Sequence, residues 1–242
     1  MRFLLLLCFI SHSLIAQYTW VQGGIIRGDS TSKKIALVFT AHDHGEGADF
    51  ILKALKGKKA SFFLTGEYFR NNPNVINAIK REGHYLGAHS DQHLLYCAWE
   101  KRDSTLVSKE EFVKDVVDNL AEMKKQGIDH APYYMPPYEW YNAEISTWAK
   151  ELELQIVNFT PGTLSNADYT TPDMKNYRSS EVIYESIIQL ERKKSLNGFI
   201  LLVHMGTHPD RKDKFYLKLP QLFDALQDYE WVRIDELLKK GP

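Results

Sequence analysis

The chain has 242 residues, 44% of them hydrophobic, and a formal net charge of −1. That content supplies one sizeable core and is too little for two comfortable α/β domains. The near-balanced charge leaves no basic field of the kind that holds nucleic acid.

Arg2 is followed by an apolar run over residues 3–10, and Ala16 places a small residue before Gln17. A basic start, a short apolar stretch and a small residue at the boundary form the pattern of a secretory signal peptide over residues 1–16. The run is too short to span a bilayer. The expectation is an exported protein, periplasmic or secreted, free of the membrane after cleavage, with a single domain over residues 17–242. Cleavage would leave Cys97 alone. One thiol closes no intramolecular disulfide, so the core must supply the stability. Beside Trp99, Cys97 reads as packing rather than as a nucleophile.

From there apolar, β-rich runs alternate with helical patterns. Residues 35–40 read as a strand followed by a helix over 48–56, and 60–65 as a strand followed by a helix over 74–81 that stops at Gly83. After a strand at 85–89, Ser108 and Glu111 form a capping box. They open a helix to about Gln126, closed by Gly127, with Phe112, Val116, Leu120 and Met123 as its apolar stripe. Strands at 133–137, 155–160, 199–204 and 231–234 are separated by helices at 143–153, 180–194 and 219–229, and a last helix covers 236–240. Several of these strands are apolar throughout, as expected when helices cover both faces.

Seven strands alternating with helices imply a parallel sheet, open or closed into a barrel, with the site at the C-terminal ends of the strands. Four chemistry-bearing segments fall there: His42-Asp43-His44 after the first strand, His89-Ser90-Asp91-Gln92-His93 ending the third, Met135-Pro136-Pro137-Tyr138 ending the fourth, and His204 ending the sixth. Two long connections, residues 94–107 and 161–179, reach the same rim and are natural places for substrate contacts. His89 and His93, four residues apart, would share one face of a helical turn. Two neutral imidazoles suit a divalent transition metal that needs one or two more ligands.

The order of these segments resembles the polysaccharide deacetylases, the NodB-homology group that forms carbohydrate esterase family four. The resemblance runs over roughly residues 33–240. Residues 35–39 before an acidic cluster look like the family's first motif, and Ala60-Ser61-Phe62-Phe63-Leu64-Thr65-Gly66 like its second strand. Residues 83–93 contain its His-Ser-x-x-His metal motif, Pro136-Pro137-Tyr138 matches part of Arg-Pro-Pro-Tyr, and residues 199–204 resemble the closing strand with its catalytic histidine. The resemblance implies a distorted (β/α)7 barrel that removes acetyl groups from an acetylated glycan, N- or O-linked. It also implies a divalent metal, Zn2+ before others, held by Asp43, His89 and His93. A base at position 42 would activate water, His204 would protonate the leaving group, and Pro137 and Tyr138 would contact substrate.

Two departures from the family pattern are coherent. His42 stands where the family has an aspartate base, after what looks like a short insertion following Phe39, and Met135 stands where an arginine pairs with that aspartate. A guanidinium stabilises a buried carboxylate and disfavours a protonated histidine, so losing one removes the reason for the other. The family's aspartate and tryptophan after the fifth strand have no obvious match in residues 157–162. Glu46, three residues beyond Asp43, competes with His42 as base and could equally complement a helix N-terminus. Ser90 braces its turn, Asp91 is either solvated or orients an imidazole, and His44, His84 and His208 read as structural or loop residues. The Tyr138 backbone N–H could meet an oxyanion. Trp99, Trp140 and Tyr141 could stack on sugar rings or simply pack. Two other functions stay open: a barrel that binds carbohydrate without catalysis, and a metal-dependent amidase acting on a small non-carbohydrate amide.

Overall fold

A computed structural model describes residues 18–239; the expected signal peptide lies outside those residues. The described chain opens on an antiparallel hairpin, β1 (Thr19–Val21) and β2 (Gly24–Arg27). The sequence reading did not anticipate it. Its turn residues, Gln22 and Gly23, both have positive φ (49° and 82°), which matches the right-handed twist of paired strands.

The alternating pattern then follows. β3 (Lys34–Ala41), α1 (Ala48–Ala54), β4 (Ser61–Leu64), α2 (Gly66–Asn71), α3 (Pro73–Arg81) and β5 (Tyr85–Ala88) form the first half. The second half comprises α4 (Lys109–Lys125), β6 (Tyr133–Tyr134), α5 (Ala143–Glu151), β7 (Gln155–Ile156), α6 (Ser180–Lys194), β8 (Phe199–His204), α7 (Leu219–Ala225), β9 (Glu230–Val232) and α8 (Ile234–Leu237). α2 is a further element absent from the sequence reading; Thr65 caps it, its Oγ1 accepting from Tyr68 N at 3.1 Å.

The parallel ladder runs β8-β3-β4-β5-β6-β7, and β9 joins the lower end of β3 at Lys34–Ala36. The hairpin fills the remaining seam. β2 lies antiparallel on β8, and Ile25 bridges to Val157 on the other side. This is the distorted (β/α)7 barrel expected from the sequence. β6 and β7 are shorter than predicted for a physical reason. Pro136 and Pro137 have no N–H for a ladder. Beyond Ile156 the chain turns to the seam, where Asn158 N donates to Ile25 O and Thr160 N to Ile200 O.

The centre is aromatic and aliphatic, with Leu37, Phe39, Phe62, Phe63 and Leu202 fully buried. Register fixes the rim. Thr40 lies opposite both Phe63 and His204, and Leu64 opposite Ala88, so residues 42, 65, 89 and 204 emerge at one end. α4 carries the predicted capping box and buries Phe112, Val116 and Met123. The same face buries two polar residues, Asp115 and Asn119, which reach up to the rim loop.

Candidate functional site

The His89–His93 segment is not the helical turn its spacing suggests. Ser90 and His93 have φ of 70° and 56°, and Ser90 Oγ accepts from His93 N at 2.9 Å, so a tight loop brings the two rings to a 5.0 Å centroid separation. The loop is tied down from α4. Asn119 Oδ1 accepts from His89 N, and the Asp115 carboxylate accepts from Asp91 N, Gln92 N and Tyr96 OH. Asp91 touches no imidazole. It is buried against Arg70, its Oδ1 2.6 Å from Nη1, and anchors the loop to α2.

His89 Nδ1 lies 2.7 Å from the Met135 carbonyl, which makes that nitrogen the donor and leaves Nε2 with a free lone pair. Burial pushes the pKa of His89 down to about 3 and that of His93 down to about 2. Both are therefore neutral, ligand-ready imidazoles at ordinary pH. His42 joins them, its ring parallel to His93 at 5.0 Å. Its Nδ1 meets Thr65 Oγ1 at 3.2 Å and its Nε2 meets Asp43 Oδ1 at 3.2 Å. The Asp43 side chain is 66% exposed and turned toward His42 rather than toward the other two rings. Among the described residues, no three His, Cys, Asp or Glu donors converge as a metal-holding group. The donor chemistry nonetheless suits a divalent ion: two neutral imidazoles, the buried one with its tautomer fixed by a carbonyl, and a carboxylate beside the cluster.

His204 faces the same cavity, which measures about 1080 Å³ and is also walled by Trp99, Tyr138 and the three clustered histidines. Its Nδ1 is 2.6 Å from Asp168 Oδ1, and its backbone N donates to Asp168 Oδ2 at 2.9 Å. Burial alone would lower the His204 pKa; the Asp168 charge and hydrogen bond, helped by Glu139, outweigh it and raise the pKa above the ordinary imidazole value. Asp168 is 1% exposed and lies in the long 161–179 connection, six residues past the 157–162 stretch where the sequence offers no match to the family's aspartate. Arg211, wholly buried, holds this connection in place by donating to Thr170 O at 2.7 Å and Arg178 O at 2.9 Å. A loop acid has no periodic signature; the only available signal was the length of the connection.

Pro137 is buried, and Tyr138 follows it with φ of 57°. The Tyr138 ring packs 4.4 Å from His93, and Trp99 meets its edge at 5.6 Å. Trp99 is half exposed and stacks on Trp140, whereas Tyr141 is buried with its hydroxyl on Val21 O. Of the three aromatic candidates, Trp99 is the one open to a ligand. Glu46 does not line the cavity. Its carboxylate accepts from Thr207 N and from Lys214 Nζ at 2.8 Å. Partial burial opposes its charge, and these partners prevail and hold its pKa below the usual glutamate range. Glu46 thus pins the loop after β8. Cys97 and His84 are buried, and His208 is exposed beside His44.

The family model described as polysaccharide deacetylase matches residues 27–157, more than half of the chain. A peptidoglycan-N-acetylglucosamine deacetylase of Listeria monocytogenes, PgdA, is 27% identical over 86% of this chain, which spans only 39% of that protein's length. One from Bacillus cereus is 25% identical over 87% of this chain and 90% of its own. A solved peptidoglycan N-acetylglucosamine deacetylase superposes with a TM-score of 0.72 at 22% identity, covering 89% of this chain and 92% of the other. A carbohydrate esterase pseudoenzyme from Bacillus anthracis gives a TM-score of 0.71 at 20% identity over 91% of this chain and 70% of its own. With the matched segment carrying β3 to β7 together with His42, His89 and His93, this chain belongs to the polysaccharide deacetylase family.

Proposed function

We propose that the protein is an exported, metal-dependent deacetylase acting on an acetylated cell-wall glycan. The observation that carries this reading is one cavity with two neutral imidazoles on one wall, His89 buried and His93 half-buried, and the His204–Asp168 pair on another. The relatives named peptidoglycan deacetylases support a glycan substrate met outside the cytoplasm. Among the described residues no helix is long and apolar enough to cross a membrane.

His89, His93 and Asp43 would hold the ion, with Asp43 turning from His42 to complete the set. Zn2+ suits these nitrogen and oxygen donors, and when bound it supplies a polarised water and a Lewis acid. His42 accepts a proton through the imidazole nitrogen that Asp43 now occupies. Tyr138 presents its backbone N–H to the developing oxyanion, with Pro137 fixing the turn that carries it. His204, its protonated form favoured by Asp168, gives its proton to the departing sugar nitrogen or oxygen. Trp99 offers an open face to the sugar ring.

The test is acetate release from acetylated glycan fragments by the mature chain, with bound metal measured in parallel. Zn2+ bound at one ion per chain, activity lost to a chelator and restored by Zn2+, and loss of both in His89→Ala/His93→Ala are expected. Full activity in the chelated protein, or glycan binding without acetate release across a substrate panel, would overturn the reading.

A further inference from the structure

Two consecutive residues after Pro137, Tyr138 and Glu139, hold left-handed backbone, with φ of 57° and 53°. Glycine adopts that conformation without strain, so a glutamate here is held against its own preference. The fold enforces it from two sides: Glu139 N donates to Pro136 O at 3.0 Å, and Asn158 Nδ2 donates to Glu139 O at 2.7 Å. Strain of this kind in a cavity wall points to the side chain as the reason for it. That side chain lines the cavity with His204. Among the described residues no hydrogen bond or ion pair engages its carboxyl group; burial pushes its pKa up to about 7, with His204 opposing that rise and Asp168 adding to it.

We propose that Glu139 is a second carboxyl partner of His204, sharing its cavity while Asp168 holds its Nδ1. This rests on the reading of His204 as the acid. Asp168 is committed to hydrogen bonds with the ring and the backbone of residue 204 and cannot follow the proton. Glu139 is uncommitted and lines the cavity that His204 faces. The imidazole gives its proton to that group and becomes neutral; the next proton then enters between Glu139 and His204, which titrate as a pair. The other charged or titratable groups around His204 are Arg211, which opposes its protonation, the Tyr169 phenol, whose ring packs 5.3 Å away, and His89 and His93, both neutral. Glu139 is therefore a positioning residue for the acid.

The experiment compares wild type, Glu139→Gln and Glu139→Gly, as purified and loaded with Zn2+. The readouts are thermal melting, titration of the His204 ring by NMR, and the pH profile of acetate release. Glycine should relieve the backbone strain and raise the melting temperature by about 2–4 °C. Both variants should lower the pH at which His204 loses its proton, by about half a unit or more. They should move the alkaline limb of kcat down with it, and cost about tenfold in kcat with KM little changed. A purely structural role predicts full activity and an unmoved His204 in the glycine variant, and that result overturns the proposal, as does identical His204 titration in wild type and Glu139→Gln. Absence of acetate release by wild type together with a shifted His204 sinks the deacetylase reading and leaves the Glu139–His204 pairing standing.

Discussion

Asp168→Asn isolates the group that prepares the acid. The carboxylate meets two donors of one residue, the His204 ring at 2.6 Å and its backbone N at 2.9 Å. An asparagine has one carbonyl oxygen for the two and carries no charge. A hydrogen bond to a charged group contributes about 1.5–3 kcal/mol. At about 1.4 kcal/mol per decade, that predicts a loss of about 10–150-fold in kcat where proton donation limits. The stability effect has a defined sign. The folded-state pKa of His204 is raised, so the pair's contribution is fully present below the unfolded value near 6.5 and fades as pH rises through the folded value. Urea unfolding of both proteins at pH 6 and pH 9 should therefore show the larger deficit at pH 6. Activity within about threefold of wild type, or an equal deficit at both pH values, would refute the assigned role.

Glu46→Gln tests the rival base. Because the carboxylate is occupied by Lys214 and Thr207 outside the cavity, acetate release should stay within about twofold while thermal stability falls by about 1 kcal/mol; a hundredfold loss of kcat would return Glu46 to the reaction. His84 tests acid lability away from the site. Its side chain is 1% exposed, burial holds its pKa down to about 4, and its Nδ1 accepts from Ala60 N. A lowered histidine pKa leaves the unfolded chain binding the proton first, so stability drains as pH falls from about 6.5 toward the folded value. By pH 5 that amounts to about 2 kcal/mol. His84→Asn keeps an acceptor without a titration, and its urea midpoint should fall less between pH 7.5 and pH 5 than that of wild type.

The rim was legible in the sequence because each of its histidines follows or ends an apolar run. A strand buried on both faces announces itself by composition, and its C-terminal end is then fixed to within a residue or two. His42, His89 and His204 were located by that logic alone. The local geometry was not legible: the four-residue spacing of His89 and His93 suggests a helix, whereas two left-handed residues and an Asp115 anchor from α4 impose a loop. The N-terminal hairpin escaped because its pairing partners lie far away in the chain, at Val157 and Phe199. Asp168 and Arg211 escaped for the same reason. Each acts across a long sequence separation from within irregular backbone, where neither period nor propensity carries information.

The pairing of His42 with Met135 is a claim about energetics and can be tested as one. Met135 is fully buried, and its carbonyl takes the His89 ring hydrogen. An arginine introduced there alone would place an unpaired guanidinium among neutral imidazoles whose pKa values are already depressed, at a cost of about 3–5 kcal/mol. His42→Asp alone adds a carboxylate with no cation to hold it. If the two positions exchange charge, as the family pattern implies, the double variant should recover about 1–3 kcal/mol relative to the sum of the singles in urea unfolding. Additivity within about 0.5 kcal/mol would mean that the two departures from the family arose independently. Recovery would mean that the chain replaced a charged base and its counter-ion with an imidazole and a thioether, which leaves no guanidinium beside three imidazoles crowded at 5.0 Å spacing.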